Sequence, residues 1–279
     1  MFLMDYHMHS LNSSDAHDEI TALCKKAIPR GLQEIAITDH FEPSSGNEQY
    51  LQYNGKKYFS EISEARQRFE GKIKIKSGVE LGQPHRFPKH SLKLIEEYPY
   101  DYVLGSAHRL PNNVDFGEVH YTPENLAAYC ENYLIELKTL AQWDHYDCLG
   151  HLDLVKRYAA NYQLRANLMD YQEQLAEILK IVIQKGKGIE VNTSGLRQAA
   201  GECLPGLDII RLYKELGGEI ATVGSDAHWA EDVGKGIPEG MELIRRAGFS
   251  YVTVYTNRKP TMIKIGDKPT VFTLGGLSA

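Results

Sequence analysis

Residues 2–9 read FLMDYHMH, a short apolar run that ends in two histidines separated by one residue. Alternate residues of a strand point to the same side, so His7 and His9 can share one ligand. Six further apolar runs end in a histidine, a carboxylate or an amide in the same way. These endings read TDH at 38–40, GVE at 78–80, GSAH at 105–108, GHLD at 150–153, VNTS at 191–194 and GSDAH at 224–228. The repetition of this pattern, more than any single copy, predicts the fold.

The chain alternates between predicted strands and predicted helices. We expect strands at 2–6, 34–38, 74–81, 102–106, 148–151, 188–192, 221–224 and 251–255, because short apolar runs between turn residues are typical of buried parallel strands. We expect helices at 19–26, 58–69, 123–143, 167–185, 206–216 and 238–246. Pro123 and Pro238 suit the first turns of helices, and Gly186 and Gly217 suit helix ends.

This alternation predicts a parallel sheet with right-handed crossovers. Seven or eight units favour closure into a TIM-like α/β barrel over the alternative, a doubly wound open sheet. We predict a single domain over 1–279, with 257–279 as a C-terminal tail or small hairpin. The C-terminal strand ends of such a barrel meet on one face, so polar residues more than 200 positions apart should converge there.

Composition narrows the possible classes of protein. No apolar run approaches the roughly 18 residues of a membrane span, and no signal peptide is evident. Four widely spaced cysteines without a CxxC pair predict no disulfide framework and a cytoplasmic location. The net charge of −6 argues against a nucleic-acid partner but allows a small anionic substrate, because bound metal ions can supply local positive charge. The sequence does not define an oligomeric state.

The strand-end residues predict a metal centre. Buried histidines and carboxylates without partners would destabilise the fold, so seven strands with such endings are hard to explain by packing. Imidazole and carboxylate ligands without thiolates suit Zn²⁺, Mn²⁺ or Fe²⁺. The candidates outnumber the ligands of one ion, which predicts two or three ions bridged by Glu80, the only acidic residue at its strand end. Asp39 and Asp153 are interpreted as helix caps or as residues that orient the ligands.

The order of these motifs resembles the polymerase-and-histidinol-phosphatase (PHP) family over nearly the whole chain. The shared motifs are HMH at 7–9 with Asp15, TDH at 38–40, GSAH at 105–108 and GSDAH at 224–228, with Glu80 and GHLDL at 150–154 between them. The resemblance implies a distorted (β/α)7 barrel that holds up to three metal ions at the C-terminal strand ends.

The resemblance also implies how the ligands are shared among three metal sites. His7, His9, Glu80 and Asp226 would form the first, Glu80, His108 and His151 the second, and Asp15, His40 and His228 the third. Many relatives have a histidine where this chain has Asp15, so His17 is an alternative ligand at the third site.

Two segments, GHLDLVKRY at 150–158 and NTSGLR at 192–197, resemble the monofunctional histidinol-phosphatases of that family. Each places an arginine, Arg157 or Arg197, a few residues from a ligand-bearing strand end. A guanidinium fork matches phosphate oxygens, so both are candidates for binding a substrate phosphate, with Arg109 and Lys156 as weaker candidates.

The resemblance implies that L-histidinol phosphate is hydrolysed in histidine biosynthesis by a hydroxide activated on the metal ions. The leaving group needs a metal ion or a proton donor, and Asp226, His228 or a metal-bound water could serve. Other functions stay open from the sequence. They are a PHP-family phosphoesterase acting on phosphotyrosine, small phosphate monoesters or nucleic-acid ends, a metal-dependent amidohydrolase, and a non-catalytic metal-binding module.

Overall fold

Parallel strands alternate with helices in the computed structural model, which describes residues 2–43 and 53–266. The strands are β1 (Met4–Asp5), β2 (Glu34–Ile37), β3 (His40–Phe41), β4 (Lys74–Gly82), β5 (Tyr102–Ser106), β6 (Cys148–Leu149), β7 (Gly188–Asn192), β8 (Ala221–Gly224), β9 (Tyr251–Thr256) and β10 (Lys259–Lys264). The helices are α1 (Ile20–Ala27), α2 (Gly55–Arg68), α3 (Pro88–Glu97), α4 (Leu126–Gln142), α5 (Leu154–Ala160), α6 (Gln172–Gln184), α7 (Leu207–Glu215) and α8 (Ile237–Arg246).

The main sheet is nearly closed into a barrel. Its order is β1-β2-β4-β5-β6-β7-β8, with the short β3 beside β4, and the neighbouring strands pair in parallel. The amide of Asp226 donates to the His7 carbonyl at 2.7 Å, and the amide of His9 donates to the Ala227 carbonyl at 2.9 Å. These bonds join the segment after β1 to the segment after β8. The predicted distorted (β/α)7 barrel is confirmed, and it closes where its strands end.

Local sequence explains why these elements form. All four residues of β2 are buried, as expected for a strand covered on both faces. The buried residues of α1 recur at helical spacing: Ile20, Leu23, Cys24 and Ala27. Gly186 and Gly217 follow the ends of α6 and α7 with φ of +63° and +99°, which is the left-handed conformation that glycine tolerates at a helix end.

Some elements differ from the prediction. Helices α3 and α5 were not expected, because α3 has only three apolar residues after Pro88 and α5 is a seven-residue helix that directly follows the motif GHLD, interpreted as a strand end. Pro238 lies in the first turn of α8 as predicted. Pro123 does not begin a helix, because it lies in a turn and α4 starts only at Leu126.

The strand predicted at 251–255 forms, but it is not an eighth strand of the barrel. It is β9, which pairs antiparallel with β10 in a separate two-stranded sheet. Asn257 and Arg258 connect the two strands with φ of 49° and 64°, as a tight hairpin turn requires. Residues 257–264 supply only the turn and the second strand of this hairpin, and 267–279 lie outside the described residues, so the tail or hairpin predicted at 257–279 stays a prediction. The extent of the single domain stays a prediction.

Two predictions from composition can be compared with the structure. Among the described residues, no helix is both long and apolar enough to cross a membrane. Cys24, Cys130, Cys148 and Cys203 are all buried and unpaired.

Candidate metal centre

The predicted metal-binding side chains meet at the C-terminal ends of the strands. A cavity of about 340 Å³ opens there, and its wall includes seven of them: Asp15, His40, Glu80, His108, His151, Asp226 and His228. The other two, His7 and His9, are fully buried and lie against Glu80 and Asp226. Segments from both ends of the chain therefore supply one site, as the geometry of a parallel barrel requires.

Four side chains form a compact group of possible ligand atoms. The Nε2 atom of His7 lies 3.0 Å from Nε2 of His9, 3.1 Å from Oε2 of Glu80 and 3.5 Å from Oδ1 of Asp226. The His9 Nε2 atom lies 3.5 Å from that Glu80 oxygen and 3.4 Å from that Asp226 oxygen. Tetrahedral ligands about 2.0–2.2 Å from a zinc ion are roughly 3.3–3.6 Å apart, so this group fits a metal ion.

Glu80 takes part in a second group through its other oxygen. Its Oε1 atom lies 3.2 Å from Nε2 of His108 and 3.0 Å from Nε2 of His151, and these two ring nitrogens are 3.2 Å apart. A hydrogen bond between the rings could use only one proton, whereas a shared ion satisfies both lone pairs. Glu80 thus offers one oxygen to each of two groups, which is how a carboxylate bridges a two-metal site.

Asp15, and not His17, completes a third group. The Oδ2 atom of Asp15 lies 3.4 Å from Nε2 of His40 and 3.2 Å from Nε2 of His228. The exposed His17 ring instead stacks on Trp229, with ring centroids 3.7 Å apart. Of the two alternatives left open by the sequence, the geometry favours Asp15.

Metal binding requires anionic carboxylates and neutral imidazoles. Burial alone lowers the pKa of four of the histidines, but neighbouring carboxylates outweigh it and raise the pKa of His7, His40, His108 and His228, so an ion would have to displace protons from these rings. Burial alone raises the pKa of Glu80, but the neighbouring histidines outweigh it and hold this pKa well below its usual range. Burial is likewise outweighed at Asp226, where His7 and Arg157 hold the pKa well below its usual range. Burial and two neighbouring histidines lower the pKa of His9 to about 3, so its ring is neutral at physiological pH.

Two carboxylates, the buried Glu190 and the partly buried Glu42, contact the Nδ1 side of the histidine rings. Oε1 of Glu190 is 2.6 Å from Nδ1 of His7, and its Oε2 accepts a hydrogen bond from the His151 amide at 2.8 Å. Glu42 contacts Nδ1 of His108. A carboxylate on Nδ1 fixes the tautomer and keeps Nε2 directed at the cavity. Glu190 is not part of the predicted strand-end motifs, although an acidic residue inside the apolar strand GIEVN is a signal of such a role.

Asp39 and Asp153 serve different purposes. Asp39 accepts a hydrogen bond from Ser13 Oγ at 2.8 Å, and this hydroxyl lies 3.3 Å from Nδ1 of His9, so Asp39 orients a predicted ligand. Asp153 precedes α5 without capping it through its side chain, and it pairs with Lys156 at 2.5 Å. This ion pair holds Lys156 outside the described cavity wall, away from any phosphate bound there.

The predicted arginines differ in position. Arg157 lines the cavity, and its Nη2 donates to Oδ2 of Asp226 at 2.7 Å. Arg109 lines the same cavity. Arg197 is not among the described wall residues, because its Nη2 donates to the Ser225 carbonyl at 2.9 Å. The position of Arg157 therefore supports a role in phosphate binding, whereas that role for Arg197 stays a prediction.

Gly224 leaves room for His7 and Glu190. A Cβ atom at this position would lie 2.3 Å from the His7 Cβ and 2.5 Å from Oε1 of Glu190. We expect Gly224→Ala to displace this pair and to weaken metal binding by about 10–100-fold, the usual effect of a lost orienting contact. A chelator-competition titration measures this. Gly217→Ala is the control, because a Cβ there strains a helix end but meets no atom within 4 Å. Unchanged affinity in Gly224→Ala would contradict the expectation.

The fold and the site define a class of protein. A parallel barrel whose strand ends bring histidines and carboxylates together is suited to hydrolysis assisted by metal ions. The sequence profile of the PHP domain matches residues 5–194, more than half of the chain. The chain belongs to the PHP domain family, and the resemblance stated from its motifs is confirmed.

Relatives within this family are similar over nearly their whole length. The histidinol-phosphatase of Lactococcus lactis is 31% identical over 92% of this chain and 95% of that protein. A probable histidinol-phosphatase of Thermotoga maritima is 28% identical over 90% of this chain and 95% of that protein. The crystal structure of the L. lactis histidinol phosphate phosphatase, complexed with zinc, L-histidinol and phosphate, matches with a TM-score of 0.81 at 28% identity, covering 93% of this chain and 98% of that one.

Proposed function

We propose that this protein is a metal-dependent histidinol-phosphatase, which hydrolyses L-histidinol phosphate to L-histidinol and phosphate in histidine biosynthesis. The observation that carries the proposal is that two groups of ligand atoms sharing Glu80 meet at one cavity, with the guanidinium of Arg157 in its wall. Similarity to the L. lactis histidinol-phosphatase over 95% of its length supports this substrate among phosphate esters.

The three groups of side chains described above would hold two or three divalent ions, Zn²⁺, Mn²⁺ or Fe²⁺. Zinc in the L. lactis structure supports this choice. When bound, the ions would supply Lewis acidity towards the phosphoryl group and lower the pKa of a water molecule.

The chain's own residues complete the chemistry. Arg157 binds non-bridging phosphate oxygens with its planar fork and offsets charge that builds up on them. Of Asp226 and His228, the two candidates for giving a proton to the departing alkoxide, Asp226 is kept anionic by His7 and Arg157 despite its burial, because its pKa is well below the usual range. His228 is the better placed, because 28% of its side chain is exposed against 5% for Asp226, which is already engaged by Arg157.

The cavity and the charge of the chain agree with a small phosphorylated metabolite as substrate. A volume of about 340 Å³ is at the lower end of the range for small-molecule sites. A net charge of −6 disfavours nucleic acid. Four buried, unpaired cysteines agree with a cytoplasmic location.

Substrate preference tests the proposed function. We expect kcat/KM for histidinol phosphate to exceed that for p-nitrophenyl phosphate or phosphotyrosine by at least about two orders of magnitude. A site that pairs with the amine and imidazole of the substrate penalises esters that leave those partners unpaired. Phosphate release from purified, metal-replete protein measures the preference, with a nucleotide as fourth substrate.

Competition provides the control for this comparison. Histidinol should inhibit hydrolysis of p-nitrophenyl phosphate, whereas tyrosine should not. Equal kcat/KM for the three esters would agree with a metal-dependent phosphatase but would reject a specific role in histidine biosynthesis. A preference for phosphotyrosine would identify a different phosphoesterase of the same family.

A further inference from the structure

One carboxylate of the cavity wall is not used by the metal centre. The described wall contains five acidic residues: Asp15, Glu42, Glu80, Asp115 and Asp226. Four of them contact the ring nitrogens of histidines. Among these five described residues, only Asp115 makes no such contact, and its charged neighbour is Arg109 and not a histidine.

Asp115 is held rigidly relative to the metal centre. It forms an isolated antiparallel bridge with Arg109, and the amide of Phe116 donates to the carbonyl of His108 at 2.9 Å. Its Oδ1 accepts a hydrogen bond from the Gly117 amide at 2.7 Å. The carboxylate is therefore fixed by a short loop that begins at a predicted metal ligand.

The second carboxylate oxygen of Asp115 forms a long ion pair with Arg109. Its Oδ2 lies 3.7 Å from Nη2 of Arg109, beyond hydrogen-bond distance, and 25% of the side chain is exposed. Glu42 approaches the same guanidinium, also at 3.7 Å. Arg109 carries one positive charge between two carboxylates, so these three side chains together have a net negative charge, which attracts a cationic group.

An aromatic ring lies against the same turn. A Cβ atom at Gly117 would be 3.0 Å from Cε1 of Tyr158 and 3.2 Å from Oδ1 of Asp115, so glycine allows the ring and the carboxylate to approach. Burial, with a contribution from Asp115, raises the pKa of the Tyr158 hydroxyl to about 12. Tyr158 directly follows Arg157, and both line the cavity. A flat ring beside a carboxylate suits an imidazole or an ammonium group.

We propose that Asp115 binds the cationic organic part of the substrate, its ammonium or imidazolium group, while Arg157 and the metal centre bind the phosphate. This inference rests on the proposed function, since histidinol phosphate is an ester whose organic part carries an amine and an imidazole. Asp115 is then a specificity-determining residue, and Tyr158 forms the wall against which the organic part lies.

Asp115→Asn tests this assignment. The asparagine oxygen can still accept from the Gly117 amide, so the turn is kept and the charge is lost. We expect kcat/KM for histidinol phosphate to fall about 10–100-fold, as for a lost charged hydrogen bond, while kcat/KM for p-nitrophenyl phosphate changes less than about threefold. The inhibition constant of histidinol should rise by the same factor of about 10–100. Asp170→Asn, in a 3₁₀ turn outside the described cavity wall, is the matched control and should change neither ester.

The outcomes separate this inference from the proposed function. An equal loss for both esters, or an unchanged preference, would overturn the role of Asp115 in recognition. Asp115→Glu should recover part of the preference, because it restores the charge. A wild-type protein without preference for histidinol phosphate would reject the proposed function instead. In that case the inhibition constant of histidinol still tests whether Asp115 binds a cation. The cation site would be rejected if histidinol did not inhibit the wild type, or if the constant were unchanged in Asp115→Asn.

Discussion

A Glu80→Gln protein should lose metal and nearly all phosphatase activity. The two oxygens of Glu80 face two different pairs of histidines, His7 with His9 and His108 with His151. Glutamine offers one oxygen and an NH₂ group, which cannot ligate a metal ion. We expect kcat/KM to fall on the order of 10⁴-fold or more, as when one member of a catalytic unit is removed. Elemental analysis should show at least one metal ion fewer per chain.

The control for this experiment is the same substitution at a surface position. Glu64→Gln changes an exposed residue of α2 and should keep both metal content and turnover. Circular dichroism of the Glu80→Gln protein separates loss of metal from loss of fold. A folded Glu80→Gln protein with full metal content and wild-type kinetics would show that Glu80 is not a ligand.

Arg157→Ala should reduce turnover while leaving the metal content intact. The guanidinium lines the cavity beside Asp226, so it can contact phosphate oxygens bound there. Loss of a charge-assisted clamp that acts in the transition state should remove about 2–4 kcal/mol, or about 10²–10³-fold in kcat/KM. Steady-state kinetics with histidinol phosphate and elemental analysis of the same preparation measure both quantities.

Two further arginine variants provide a control and a comparison for Arg157→Ala. Arg165→Ala alters an exposed residue and should have wild-type kinetics. Arg197→Ala, measured in parallel, tests the remaining prediction, since a loss as large as that of Arg157→Ala would assign Arg197 to the phosphate as well. Metal loss in Arg157→Ala would mean that the arginine serves to hold Asp226, and wild-type kinetics would reject the clamp.

Strands are predicted correctly where the local sequence determines them, and their place in a sheet is predicted wrongly where it depends on pairing with other strands. Seven predicted strands coincide with strands of the barrel, because a strand buried on both faces is a short apolar run between turn residues. The strand at 251–255 has the same local pattern but pairs antiparallel with β10. The apolar pattern of this strand does not determine which strand pairs with it.

The sequence by itself determined the order of apolar runs and the residue types at their ends. From these follow the parallel barrel and the convergence of histidines and carboxylates on one face, because all parallel strands end on the same side. Only the tertiary structure decided how these side chains face one another. It placed one oxygen of Glu80 in each of two groups, Asp15 rather than His17 beside His40, and Glu190 behind His7. Such choices depend on side-chain directions and on distances between segments far apart in the chain, which no local pattern encodes.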